Sequence, residues 1–207
     1  MARIGLLGGS FDPIHLAHLA LAHCAAEQLA LHQVWLIPAG QPWQRGALGA
    51  SAEQRERMVR LAAADDARLR VLDLELRRGG PTYTVDTLRS LRAQHPEHEF
   101  VLLLGADQLD NFQTWRAWDE IAACVDLAVA PRPHHGLRPD PALLRVLHAA
   151  GHRLLQVRMA PTEVSATRVR EHAARGLALG DLVPPAVAGY IEQHHLYRTL
   201  PSPNGHP

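Results

Sequence analysis

Not one lysine occurs in these 207 residues: all 21 basic side chains are arginine, so cationic chemistry falls to arginine and to 14 histidines. That excludes any phosphate loop built on a lysine ammonium. Charge of one sign is missing too, since 21 acidic residues balance the 21 basic ones. A neutral chain lacks the broad positive footprint of a duplex-DNA binder, so no nucleic-acid partner is expected and any anion must be held locally. Only two cysteines are present, Cys24 and Cys124, in apolar surroundings and without CxxC spacing, which reads as two buried free thiols and not as a disulfide or zinc set. No apolar run approaches the ~20 residues needed to cross a bilayer, and no charged-then-apolar leader opens the chain, so no membrane association is expected and cytoplasm is the natural compartment.

What is present is a core-forming composition, 47% hydrophobic, in a length that suits one domain over residues 1–200 with a flexible Pro-rich tail at 201–207. Short apolar runs ("RIGLLG", "QVWLIPA", "RLRVLDLEL", "FVLLLGA", "LAVAPRP", "RLLQVRM") alternate with longer helical patterns ("LAHLALAHCAAEQLAL", "SAEQRERMVRLAAA", "TVDTLRSLRAQH", "PALLRVLHAAG", "SATRVREHAARG"). That alternation predicts an α/β fold: a Rossmann-like, doubly wound, mostly parallel sheet with helices on both faces. "APRPHHGLRPDP" reads as a surface loop.

In such a fold the first strand-to-helix turn is the usual phosphate cradle. Here it is "GLLGGSFDPIHLAH". Gly8 and Gly9 let backbone approach a ligand, Ser10 offers a hydroxyl, and the next helix aims free N–H groups at an anion. The stretch is neither Gly-x-Gly-x-x-Gly nor a Walker loop. His15 and His18, three apart at the helix entry, can face the same way and donate imidazole N–H bonds to phosphate. A histidine metal site needs three or four ligands and His23 does not continue the spacing, so no protein metal site is expected. A second cluster, "VSATRVREHAARG", starts a helix that Ser165 or Thr167 can cap, with Arg168 and Arg170 at or near its first turn, beside the end that favours anions.

"GGSFDPIHLAH" resembles the HxGH signature of nucleotidyltransferases related in fold to class I aminoacyl-tRNA synthetases, and "VSATRVR" resembles their ISSTxxR signature. With "IPAGQPWQR", "PTYTVDTL", "GADQLDNFQTW", "VAPRP" and "VPPAVAGYIEQHHLY" in order, the chain is similar to the nicotinate-nucleotide adenylyltransferases from Arg3 to about Tyr197. It departs from the pattern in carrying Ala17 between the histidines, Ala166 for the second serine, and Arg45 near a loop position where relatives often carry lysine.

The resemblance implies ATP and nicotinate mononucleotide as partners, and leaves a homo-oligomer open. It implies catalytic roles for His15, His18 and Arg170, and ATP contacts from Gly8, Gly9, Ser10, Phe11, Gly105, Asp107, Ser165 and Thr167. For the mononucleotide it implies Thr82, Tyr83, Thr84, Trp115, Arg45 and Arg132. The helix starting at about Thr84 would receive a carboxylate on backbone N–H groups, and Trp115 would offer a flat face to a pyridine ring. Magnesium would be held mainly by ATP phosphates and water. Asp107 has the alternative of being a helix N-cap. For the whole chain the alternatives are a phosphopantetheine adenylyltransferase-like enzyme, or a non-catalytic nucleotide-binding regulator on the same fold.

Overall fold

The computed structural model describes residues 1–42, 46–131 and 137–198. Arg45, Arg132 and the tail 201–207 lie outside the described residues, as does the middle of the predicted surface loop.

Six strands form one sheet: β1 (Arg3–Gly9), β2 (Gln33–Pro38), β4 (Leu69–Val71), β6 (Glu99–Gly105), β7 (Asp126–Ala130) and β8 (Leu154–Gln156). Their order is β4-β2-β1-β6-β7-β8, and each of these pairings is parallel. Two short strands, β3 (Gln41–Pro42) and β5 (Pro81–Thr82), pair separately. The chain winds outward from β1 to one edge, returns, and winds outward from β6 to the other. This makes β1/β6 the switch point, beyond whose carboxyl ends ligands bind in such sheets.

Period-two alternation explains why both faces are covered. Ile4, Leu6, Trp35, Ile37, Leu102, Leu104, Leu127 and Val129 point to one core, while Leu7, Val34, Leu36, Val101, Leu103 and Ala128 point to the other. The second core is closed by α1 (Leu16–Gln28), α2 (Ala52–Ala63), α8 (Ala166–Ala174) and α9 (Pro185–Gln193). The first is closed by α4 (Thr84–Gln94), α6 (Trp118–Ala122) and α7 (Pro141–Ala149). Local chemistry starts several of these helices: Ser51 and Gln54 form a reciprocal capping box on α2, and Asp140 caps α7 ahead of Pro141.

The run "RLRVLDLEL", expected as one strand, is divided. β4 ends at Val71 and a five-residue helix, α3 (Leu74–Arg78), follows. The division brings Glu75 inward, where it is buried. Cys24 and Cys124 are free thiols as expected, but half-buried and not enclosed. Among the described residues no helix is long and apolar enough to cross a membrane.

Candidate active site

A cavity of about 900 Å³ lies over the carboxyl ends of β1 and β6, at the upper end of the ~300–1,000 Å³ usual for ligand pockets. It spans the carboxyl end of the sheet, reaching both faces. On the α1 side it is lined by Gly9, Ser10, His15, Ala17 and His18, and on the α4 side by Thr82, Thr84, Thr87, Leu88 and Trp115.

The signature turn is built tightly. Phe11 takes a positive φ of 45° and is buried, so its ring lies under the site and is not part of the cavity wall. His15 is the N-cap of α1, with extended backbone, and its own N–H donates to Nδ1 of His18 at 3.2 Å. A neutral His18 whose Nδ1 accepts must carry its proton on Nε2. The two imidazoles stack at 3.7 Å between centroids, and Phe11 meets the His18 ring edge-on at 5.0 Å. Ala17, between the two histidines, is already helical and costs nothing in backbone strain.

His15 is 7% exposed, and burial lowers its pKa to about 4. It is therefore neutral near pH 7 and acts as a hydrogen-bonding group, not a fixed cation; its Nδ1 has no protein partner. The sign of the pH effect follows. The unfolded chain takes up the proton near pH 6.5 and the folded one does so only near 4, so this residue's share of stability is intact above 6.5 and declines as pH falls to 4. The full decline is about 3 kcal/mol. His15→Gln should flatten the acid limb of a urea-stability profile over that interval; an unchanged slope would show that His15 is not buried neutral.

Gly8, Gly9 and Gly105 line the cavity, yet no protein atom requires them to be glycine. A Cβ on Gly105 would meet nothing within 4 Å; on Gly8 and Gly9 the nearest atoms are at 4.0 and 3.5 Å. None has a positive φ. The bare backbone there is open to whatever fills the cavity.

Behind the turn sits a buried polar cluster that the sequence reading did not assign. The Asp12 carboxylate, 4% exposed, accepts from the backbone N–H of Gly49 (2.8 Å) and Ala50 (3.1 Å) and from the Tyr197 hydroxyl (2.9 Å). Arg55, 1% exposed, donates to the carbonyls of Ser10 (2.6 Å) and Gly40 (2.9 Å), tying the turn after β1 to the turn after β2.

Of the second cluster, Ser165 is the cap of α8, accepting from Arg168 N–H at 3.2 Å; Thr167 is inside the helix. Arg170 donates to the Asp12 carbonyl at 2.7 Å and to Thr167 Oγ1 at 3.2 Å. None of Ser165, Thr167 and Arg170 lines the cavity; they stand behind the signature turn. Asp107 does line it, and is not the N-cap: that position belongs to Gly105, ahead of α5 (Ala106–Asp110).

On the other wall, α4 starts at Thr84 as expected, with Tyr83 as an extended N-cap lacking a side-chain cap. The N–H groups of a helix's first turn have no intrahelical acceptor, so those of Thr84 and Val85 are the open ones. Tyr83 turns away from the cavity, under the Arg116 guanidinium at 4.7 Å. Trp115 lines the cavity, packs on Phe112 at 5.2 Å, and has no protein acceptor for its Nε1–H. Glu75, another residue the sequence reading missed, accepts from Thr87 Oγ1 at 2.6 Å. Burial pushes its carboxyl up, while the Thr87 and Thr82 hydroxyls and the Arg78 charge pull the other way. The segment from Gln156 to Val164, with Arg158, completes the wall and was also unassigned.

A model of the cytidylyltransferase-like family matches residues 6–172. A probable nicotinate-nucleotide adenylyltransferase of Bordetella petrii is 52% identical over 198 residues, covering 96% of this chain and 100% of its own. The protein of the same description from Bordetella pertussis is 50% identical, covering 96% and 99%. Among solved structures, the nicotinic acid mononucleotide adenylyltransferase of Plasmodium falciparum complexed with NaAD superposes with a TM-score of 0.77 at 20% identity, over 96% of this chain and 98% of that one.

Proposed function

Because the chain belongs to the cytidylyltransferase-like family, among its nicotinate-nucleotide adenylyltransferases, we propose that its cavity carries that reaction across the β1/β6 switch point. The enzyme joins the AMP moiety of ATP to nicotinate mononucleotide, giving deamido-NAD and pyrophosphate, in NAD biosynthesis. One observation carries the reading of the site: a single cavity has the histidine pair on one face of the sheet and the Thr84 helix start with Trp115 on the other.

The 5′-phosphate oxygen of the mononucleotide attacks the α-phosphorus, the new P–O bond forms, and the bond to the β-phosphate oxygen breaks in line. No protein nucleophile is needed; positioning and charge stabilisation suffice. His18 directs Nε2–H to the α-phosphoryl oxygens, and His15 adds a neutral donor. Gly8, Gly9, Ser10 and Gly105 let the nucleotide lie on bare backbone, and Asp107 meets it at the end of β6. We assign Arg170 to the departing β- and γ-phosphates through guanidinium N–H groups beyond the two given to Asp12 and Thr167; Thr167 and Ser165 support it from the same helix start. Among the described residues no cluster of three possible metal ligands lies on the cavity wall. Magnesium would be held mainly by ATP phosphate oxygens and water, where it would supply charge neutralisation. With ATP as donor, the cytoplasm is the compartment we assign.

The acceptor site fits a planar ring with a carboxylate. Trp115 supplies the stacking face, and the open N–H groups of Thr84 and Val85 supply charge-assisted bonds that an amide NH₂ would spoil by facing donors with donors. Thr82, with Glu75 and Thr87, fixes the approach to that helix start. The test is pyrophosphate release with nicotinate mononucleotide, nicotinamide mononucleotide and phosphopantetheine as acceptors. Preference for phosphopantetheine, or no turnover beyond one equivalent, would overturn the reading.

Two variants separate the acceptor roles. Trp115→Ala should weaken nicotinate mononucleotide by about 1–3 kcal/mol, with ATP affinity and the acid-to-amide ratio nearly unchanged. Thr84→Pro should relax that ratio. Thr84 is the first helical residue and Tyr83 before it is extended (φ −125°, ψ 135°), so proline fits the backbone and removes only the N–H. A strong ratio change in Trp115→Ala with none in Thr84→Pro would reverse the two assignments.

A further inference from the structure

At the other end of β6 lies a group of metal-ligating side chains that the reaction does not use. α4 is C-capped by His95, whose N–H donates to the Leu91 carbonyl, and a tight turn closed by His98 N–H on the His95 carbonyl (3.1 Å) leads into β6. The turn "HPEH" brings the side chains of its first and fourth residues together. The His95 and His98 rings are parallel within 6°, with centroids 5.6 Å apart. Glu97 Oε1 stands 3.7 Å from His95 Nδ1 and 3.4 Å from His98 Nε2. All three ligand atoms lie within 4.8 Å of one another.

A tetrahedral ion with bonds of about 2.0–2.1 Å sets its ligand atoms roughly 3.3–3.4 Å apart. The two carboxylate–imidazole separations are already near that spacing, so small side-chain rotations would bring three donors onto one centre. Two imidazoles and a carboxylate suit a borderline-soft divalent ion, whereas magnesium and calcium prefer oxygen alone. We propose that the His95–Glu97–His98 turn binds one divalent transition-metal ion of the zinc class, with water completing the coordination. Three ligands within four residues converge only through the turn, which helical or strand spacing does not reveal.

Two features define how the site behaves. His98 Nδ1 is buried without a protein partner, so the tautomer that frees Nε2 for the metal leaves its second N–H unsatisfied. Metal-bound imidazoles usually have that N–H paired, so this site is weaker than a closed four-ligand one. Trp35 is the built-in reporter. It is 1% exposed, and its ring lies 5.1 Å from His95 and 6.0 Å from His98, edge to face. The seven residues of β6 separate the turn from the cavity by about 20 Å. Binding should therefore join the end of α4 to the start of β6 without entering the reaction.

The experiment uses the full chain, stripped with chelator and then titrated with zinc in equilibrium dialysis, and separately with copper(II), following tryptophan fluorescence. Wild type should bind one equivalent that His95→Ala and His98→Ala each weaken at least tenfold, since even the loss of an outer partner costs 10–100-fold. Copper should quench the Trp35 contribution in wild type and not in His95→Ala. Adenylyltransferase turnover should be the same with and without zinc and in both variants. The chain has 14 histidines, so zinc binding alone decides nothing. Equal zinc affinity in wild type and His95→Ala, or equal copper quenching in the two, overturns the proposal.

Discussion

His18→Ala is expected to lower kcat by about a hundred- to a thousandfold while ATP affinity changes by no more than a few-fold, the pattern of a donor that matters mostly when charge develops. The magnitude is that of losing one preorganised oxyanion donor. The preorganisation is visible. Nδ1 is occupied by the His15 N–H at 3.2 Å, which directs the proton to Nε2, and the ring is held between the His15 imidazole and the edge of Phe11. Alanine also removes the acceptor of the His15 N–H, which adds a loss from the turn to the loss of the donor. His18→Asn separates the contributions. Its short amide can still accept from that N–H but does not extend to the Nε2 position, so it should restore stability and not rate. Full recovery of turnover in His18→Asn would show that His18 acts only by holding the turn.

The fold was legible because its signals are local and periodic. Alternating apolar runs marked the strands, and Ser165 marked a helix start that the structure contains. The cavity lies where a doubly wound sheet puts it. Thr84 could be found because a helix start is a property of a short segment, and Trp115 because the resemblance pointed to it. Legibility failed where a role depends on contacts between distant segments. Asp12 reads as an ordinary turn residue until Tyr197, 185 positions later, donates to it. Arg55 reads as a solvated helix residue, yet it is one of the most buried side chains. Glu75 was hidden inside an apolar run, because the reading could not see β4 stopping at Val71 and the chain turning inward. The resemblance implied a phosphate role for Arg170; that its guanidinium also grips the Asp12 carbonyl is a bond no spacing rule foretells.

The second large effect is expected at Asp12, and in stability before rate. Asp12→Ala should cost about 3–5 kcal/mol, because two backbone N–H groups and a phenol lose a charged acceptor inside the protein and at least some stay unpaired. Against a total of roughly 5–15 kcal/mol for a folded domain, that is a large share. Tyr197→Phe removes one of the three bonds and leaves the other two, so it should cost only about 1.5–3 kcal/mol. The gradient between these variants in urea unfolding measures how the carboxylate's work is divided between the Gly49–Ala50 loop and the carboxyl-terminal segment. Alanine at position 12 keeps its carbonyl, so the Arg170 bond at 2.7 Å survives. Turnover measured on the folded fraction should accordingly fall far less than in His18→Ala. A loss below 1 kcal/mol for Asp12→Ala, or a fall in folded-state turnover as large as that of His18→Ala, would mean that Asp12 serves the reaction itself and not the frame around it.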